Sequence, residues 1–437
     1  MQLDNGTFIL NSWLNDVKRF DYMDAKIDNL LTYVSKKLRI DAHHYIHGGF
    51  WLTLTQGIVI IFGLLTTALF ARHLSEVNYG IYRYLISLAV ILSSLSLTGL
   101  GQTILQASSK KYLGFYEESF RINFLYNLGI AFAGAACAIY YLINGNTILF
   151  MGCIFIALLQ PIINTYQYTP TFLQGQKEFR KATITQGAKT IFISVISIAS
   201  LFLSKSIFVL FLTYLFVQVI TNYTAHLIFK PHTFVPTPKE VYEKYISYTK
   251  HSSVRNIISL ISLRLDSIII FTQLGAAQLA IYSIAVVVPE QIKGALKNLA
   301  TLLVQKYSNH TDMGLLLKSV PKRSWQLFLI LLLLTILYIA TAPFLYHLLF
   351  PKYPEAVFYS QLYALAFLTH ILYIPSSILQ VRMEEKKLYY LSTTGSIFLI
   401  ILLLILIPKF GILGAVISTL LYRVIFTALT FLSLPKN

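Results

Sequence analysis

Six ionisable residues stand in stretches that are otherwise apolar: Lys189, Arg264, Asp266, Glu290, Lys293 and Arg423. A charge at mid-bilayer costs about 2.5–3.5 kcal/mol on insertion scales, so such residues line a cavity or neutralise one another. Four are cationic and two anionic. A chamber lined by this set carries net positive charge and suits an anionic ligand, above all a phosphate or pyrophosphate. Asp266 and Glu290 are the two carboxylates able to exchange a proton or sodium ion. The competing reading is structural: Arg264 with Glu290 and Asp266 with Lys293 pin two neighbouring helices together. Glu290 and Lys293, three residues apart, also share a helix face. For Lys189 the alternative is a long stem reaching back to the interface. Both readings stay open.

The elements that must hold these residues are apolar helices. Hydrophobic residues make up 56% of the 437 and charged residues 12%, about half the usual charged share. Twelve stretches are long enough to cross a bilayer: roughly 50–71, 81–104, 122–143, 147–172, 182–203, 206–229, 254–273, 279–304, 325–348, 356–380, 388–407 and 411–434. The expectation is an all-α polytopic membrane protein. Its net charge of +17 is distributed by side. With these spans, 27 Lys and Arg fall on one side and five on the other: Arg72, Arg83, Lys205, Lys352 and Lys409. Lys189, Arg264 and Arg423 lie inside spans. The asymmetry places both termini in the cytoplasm. It also assigns the basic character to topology and anionic lipid contact, not to nucleic acid.

The chain reads as a tandem duplication. Leu74-Ser-Glu-Val-Asn-Tyr-Gly-Ile-Tyr82 returns as Leu274-Gly-Ala-Ala-Gln-Leu-Ala-Ile-Tyr282, and Leu173-Gln-Gly-Gln-Lys-Glu-Phe-Arg-Lys181 as Leu379-Gln-Val-Arg-Met-Glu-Glu-Lys-Lys387. Two six-helix lobes follow, related by an axis along the bilayer normal, with a site expected at their interface. The expected divisions are an amphipathic cytoplasmic leader (1–47), a first lobe (48–229), a proline-bearing linker (230–250), a second lobe (251–434) and a tail (435–437).

No nucleophile–base set, P-loop or metal box appears, and the outer loops are too short to fold as a catalytic domain. Cys137 and Cys153 lie in apolar stretches and read as small buried hydrophobes. The expectation is therefore no enzyme, no cofactor and no metal. Weaker polar marks remain. Pro161, Pro170, Pro289 and Pro375 are candidate kinks. His226 and His370 fit either proton relay or interhelical hydrogen bonding. Thr53, Thr55, Gln56, Ser93, Ser94 and Ser96 fit either cavity lining or close packing.

Several segments resemble one known family, the Wzx-type polysaccharide or oligosaccharide-lipid flippases of the multidrug/oligosaccharidyl-lipid/polysaccharide exporter superfamily. The carriers are Phe70-Ala-Arg-His-Leu-Ser-Glu-Val-Asn-Tyr-Gly-Ile-Tyr82, Gly99-Leu-Gly101, Phe172-Leu-Gln-Gly175, Arg264-Leu-Asp266, Leu274-Gly275 with Ala280-Ile-Tyr282, Leu349-Phe-Pro351 and Ile407-Pro-Lys-Phe-Gly-Ile-Leu-Gly-Ala-Val416. Their order and spacing carry the resemblance, which leaves out the first 47 residues. It implies alternating access in the cytoplasmic membrane. The implied cargo is a polyprenyl-pyrophosphate-linked oligosaccharide, with polysaccharide-assembly proteins as further partners. The family's cavities often carry cations on the first lobe. Here the first two spans offer only Arg72 and Arg83, both placed near the outside. The rivals are a cation-coupled multidrug exporter of the same superfamily, a lipid II flippase (whose family has fourteen spans) and a non-transporting scaffold.

Overall fold

A computed structural model describes residues 42–231, 235–308, 313–381 and 384–434. The expected leader and tail lie outside the described residues, apart from the start of the first helix. Among the described residues eleven helices are long and apolar enough to cross a membrane, and a bent pair supplies a twelfth.

The first lobe holds α1 (Ala42–His73), α2 (Glu76–Leu92), a short 3-10 turn (Ser93–Leu95), α3 (Leu100–Ser109), α4 (Gly114–Ile143), α5 (Thr147–Tyr166), α6 (Thr169–Gly175), α7 (Phe179–Leu203) and α8 (Ile207–Phe229). The second holds α9 (Lys239–Leu274), α10 (Ala276–Ser308), α11 (Met313–Leu349), α12 (Glu355–Ala364), a 3-10 run (Leu365–Leu372), α13 (Tyr373–Val381), α14 (Glu385–Phe410) and α15 (Ile412–Leu432). Both repeated segments fall in equivalent places. The first pair occupies the α1–α2 and α9–α10 turns; the second pair spans α6 to α7 and α13 to α14.

One end of the bundle has short turns (α1–α2, α4–α5, α7–α8, α9–α10, α14–α15). The other carries the Lys- and Arg-rich connections and is called the basic end below. Gly275 and Gly411 reverse the chain with φ of 91° and 60°. A side chain disfavours this region, so glycine there permits antiparallel helices joined by a single residue.

The second span is not straight. The helices on either side of residues 96–99 are bent by 62°. Ser93 Oγ donates to the Ala89 carbonyl and Ser96 Oγ to the Ser93 carbonyl, competing with the helix ladder. Ser94 and Ser96 are buried in this elbow. Thr53 and Thr55 likewise bond their own helix, and Thr55 also meets Thr183. In span ten, Pro375 offers no N–H to the Ile371 carbonyl, and the preceding stretch tightens into 3-10 geometry.

The linker expected over 230–250 is shorter: from Lys239 the chain is already α9. The front of α9 packs on the first lobe. Tyr245 and Ile246 join Leu97, Leu100, Ile104 and Phe115 in one core, Ser253 Oγ accepts the Gly99 N–H, and Thr249 Oγ1 donates to Thr103 Oγ1. Farther along, α9 packs against α2, α10 and α14. This helix therefore belongs to both lobes.

At the short-turn end the lobes are sealed together. Arg72 donates to the Leu348 and Leu349 carbonyls, and Lys352 Nζ reaches the Leu74 carbonyl at 3.4 Å. Tyr84 stacks on Phe271 with ring centroids 3.9 Å apart. Phe70, Leu74, Tyr79, Phe350 and Tyr353 are buried in this seam. Gly80 lies so close to α10 that a Cβ would sit 1.8 Å from the Ala276 carbonyl oxygen. Gly80→Leu should force α2 from α10, an overpacking of about 1–3 kcal/mol. The check is cysteine crosslinking between positions 79 and 353, whose rings are 6.4 Å apart. Its yield should fall sharply in the Gly80→Leu background.

Candidate functional site: a cationic cavity between the lobes

A cavity of about 750 Å³ lies at the lobe junction. The first lobe contributes Gly63 and Thr67 from α1 and Arg83 and Val90 from α2; the remaining wall comes from α9, α10 and the helices after them. Five of the six expected residues line it: Arg264, Asp266, Glu290, Lys293 and Arg423. Lys189, half-buried on α7, is not among the lining residues.

Glu290 is the hub. Lys293 Nζ donates to its Oε2 at 2.8 Å, Arg423 donates to Oε1 at 3.0 Å, and the Tyr363 hydroxyl donates to Oε1 as well. The Tyr363 hydroxyl also accepts from Arg423 at 3.2 Å, and the guanidinium lies 5.4 Å from that ring. Asp266 is held differently. It accepts from the Tyr282 hydroxyl, the Ser267 N–H at 2.6 Å and the Ser267 hydroxyl at 3.2 Å.

The interhelical pairs of the competing structural reading, Arg264 with Glu290 and Asp266 with Lys293, do not form. Register is the reason. Counted from Gly275, Arg264 and Glu290 differ by four residues along antiparallel helices, about 6 Å of rise. Asp266 and Lys293 differ by nine residues, about 13 Å. The i,i+3 partner on the same helix and Arg423 from α15 reach Glu290 instead.

Arg264 makes no ion pair or hydrogen bond among the described residues. Arg83 is its counterpart on the first lobe, where Nε is buried without a hydrogen-bond partner among the described residues. Tyr214 on α8 lies within electrostatic reach of both guanidinium groups. Arg83 was expected near the outside face. It sits instead two turns into α2, and α2 is the first-lobe helix packed against α9 and α10. The sequence held one signal for this: Arg83 follows Tyr82 directly after the repeated turn, at the register where the second copy reads Ser283 beyond Tyr282. The Arg and Lys lining the cavity therefore number four and the Asp and Glu two. Glu290 meets two of those cations; Arg264 lies within electrostatic reach of Asp266, yet neither Arg83 nor Arg264 makes an ion pair or hydrogen bond among the described residues.

His370 also lines the cavity, with Nδ1 3.0 Å from the Ala366 carbonyl. Gln291 and Gln56 face Gly63 and Gly294, where the absent side chains let α1 approach α10. Among the described residues no group of three or more His, Cys, Asp or Glu could hold a metal ion.

Residues 46–306, more than half of the chain, match the family described as polysaccharide biosynthesis protein. No curated protein matches the sequence. Solved structures with a similar fold include an outward-facing multidrug-resistance MATE family transporter of the MOP superfamily (13% identity, TM-score 0.57, covering 89% of this chain and 94% of that one). Another is a MOP-superfamily transporter from Pyrococcus furiosus, described as having a binding pocket of reversed polarity (13% identity, TM-score 0.60, 89% and 94%). A third is the lipid II flippase MurJ in an inward-closed conformation (13% identity, TM-score 0.58, 87% and 86%). A duplicated bundle sealed at one end around a charged cavity, together with the family match, fixes the assignment: this chain is a membrane protein of the polysaccharide biosynthesis protein family, with the fold of the MOP-superfamily transporters.

Proposed function

We propose that the protein flips a polyprenyl-pyrophosphate-linked oligosaccharide across the cytoplasmic membrane by alternating access. The observation that carries this reading is a pair of arginines, Arg83 and Arg264, one from each lobe, that face a single cavity and make no ion pair or hydrogen bond among the described residues. A pyrophosphate bridging them would be gripped by both halves at once, with charge-assisted hydrogen bonds to each guanidinium. A cavity of about 750 Å³ has room for that group with its first sugars, while the lipid tail stays in the bilayer. Lys293 and Arg423 add positive potential, and Glu290 holds them in place.

The 27-to-five distribution of Lys and Arg orients the basic end to the cytoplasm. In that orientation the sealed short-turn end faces outward. Outward release requires the Arg72, Lys352 and Tyr84 contacts to break. Lys189 is not required by this scheme.

A cation-coupled multidrug exporter is the second reading, favoured by the fold similarity to MATE family transporters. A cationic drug needs an available carboxylate. Glu290 is already occupied by three donors and Asp266 by Tyr282 and Ser267. With four cations to two carboxylates the cavity carries net positive charge, which disfavours that cargo.

The deciding measurement is flipping of a fluorescent polyprenyl-pyrophosphate oligosaccharide in proteoliposomes, with and without a proton or sodium gradient. Flipping well above protein-free vesicles is expected. Transport of a lipophilic cation with no flipping of the glycolipid would overturn the proposal in favour of the exporter.

A further inference from the structure

A second titratable site lies in the first lobe, apart from the cavity. His226, near the basic end of α8, is 7% exposed. Its ring is caged by Phe120, Tyr166 and Tyr116, with centroids 4.5, 5.1 and 5.8 Å away. Nδ1 lies 3.4 Å from the Tyr116 hydroxyl, which is itself 2.8 Å from Thr169 Oγ1. Nε2 faces Glu117 Oε1 at 4.0 Å, too far for a hydrogen bond, and that oxygen is buried without a partner among the described residues. The pair is thus incomplete in a specific way. A buried acceptor and a ring nitrogen face one another across a gap that must close by about 1 Å before one proton can link them.

The other titratable groups around the pair are Tyr116 and Glu118 on α4, Tyr166 on α5, Tyr223 on α8, Lys230 just past its end, and Tyr242 on α9 facing Glu118. Lys230 opposes a second positive charge, so the pair is suited to holding a single proton. Glu117 is partly exposed, which gives that proton a path from the basic end.

The location ties the pair to the joint between the lobes. Glu117 lies in the first turn of α4. The next residue, Glu118, accepts the Thr237 N–H at 3.0 Å, immediately before Pro238 caps α9. Gly114, in the same turn, presses so closely on the connection that a Cβ there would sit 2.0 Å from the Val235 carbonyl oxygen. One helical turn therefore holds both the incomplete His–Glu pair and the clamp on the segment that enters the second lobe.

We propose that Glu117 and His226 form a proton-binding latch that stabilises the described lobe arrangement. A shared proton gives the buried Glu117 oxygen its missing partner and fixes the α4 turn that grips residues 235–237. By linkage, the state that holds the proton best is favoured as pH falls, and the clamp loosens as the proton leaves. The pair titrates as a unit. The latch does not depend on the cargo, so its failure and the failure of the flippase reading are separable.

The test is a distance measurement between spin labels at Lys181→Cys on the first lobe and Tyr390→Cys on the second, both exposed near the basic end. The protein is held in lipid nanodiscs without substrate between pH 5 and 8. The expected result is a single short-range population at low pH and a second, shifted population growing as pH rises. Glu117→Gln and His226→Gln should each remove that dependence while the labelled protein remains monodisperse. A distribution that does not change with pH, or a pH response unaltered in both variants, would overturn the latch. A nuclear magnetic resonance titration of the His226 ring guards against misfolding of the variants. His226 in the unsubstituted protein should show a titration that Glu117→Gln shifts, and an unshifted titration also counts against the proposal.

Discussion

Glu290→Gln is expected to unfold the protein at markedly lower temperature while strengthening its attraction for anions. Lys293 and Arg423 both rely on the Glu290 carboxylate, and removing one partner of a buried pair leaves uncompensated charge. The Glu290 side chain is 37% exposed, facing a cavity that admits water. The loss should therefore be about 2–3 kcal/mol, below the ~3–5 kcal/mol of a fully dry pair. The double variant Glu290→Gln with Lys293→Met removes one stranded cation along with its counter-ion, and part of the stability should return. Thermal unfolding in detergent reads both effects. An unchanged transition temperature for Glu290→Gln would mean that this network does not support the second lobe.

Arg83→Ala and Arg264→Ala are expected to behave in the opposite way, with little change in stability and a large loss of ligand affinity. Neither guanidinium makes an ion pair among the described residues, so truncation breaks no contact of that kind. Each charge-assisted hydrogen bond to a phosphate contributes about 1.5–3 kcal/mol. Since 1.4 kcal/mol is tenfold, each variant should weaken binding of a pyrophosphate lipid by about ten- to a hundred-fold. Binding to a soluble polyprenyl-pyrophosphate analogue, measured by calorimetry, is the check. If Arg83→Ala leaves affinity intact while Arg264→Ala abolishes it, the grip belongs to one lobe alone. The cavity would then hold cargo without joining the halves.

Much of the fold is legible in the residues. Long apolar stretches must satisfy their backbone internally, so helices were the only outcome for an α-type spanning chain. The repeated nonapeptides marked the equivalent turns because a tight reversal constrains residue type more than a lipid-facing helix does. The elbow in span two was less visible. Its cause is a run of serines bonding back to the helix, and serine in a membrane stretch also suits plain packing. At the site, the ionisable residues announced themselves by their cost in an apolar environment. Their partners did not, because partner choice depends on register across helices. Arg83 was misplaced for a related reason: a loop and the first two turns of a helix look alike when only the side of the membrane is counted. The front of α9 is hidden by the prolines that precede it and by its lysines, although Tyr242, Tyr245 and Ile246 stand at i, i+3 and i+4 and so share the face that covers the first lobe.

The double allegiance of α9 has a practical corollary for anyone dividing the gene. A break placed in the stretch around residue 235, where the duplication suggests a natural joint, would strip the amino-terminal fragment of the cover over Leu97, Leu100 and Phe115. It would also leave the carboxy-terminal fragment with a naked amphipathic extension. Two polypeptides meant to reassemble should instead be separated after Ser253, so that each inherits the surface its own core was shaped against.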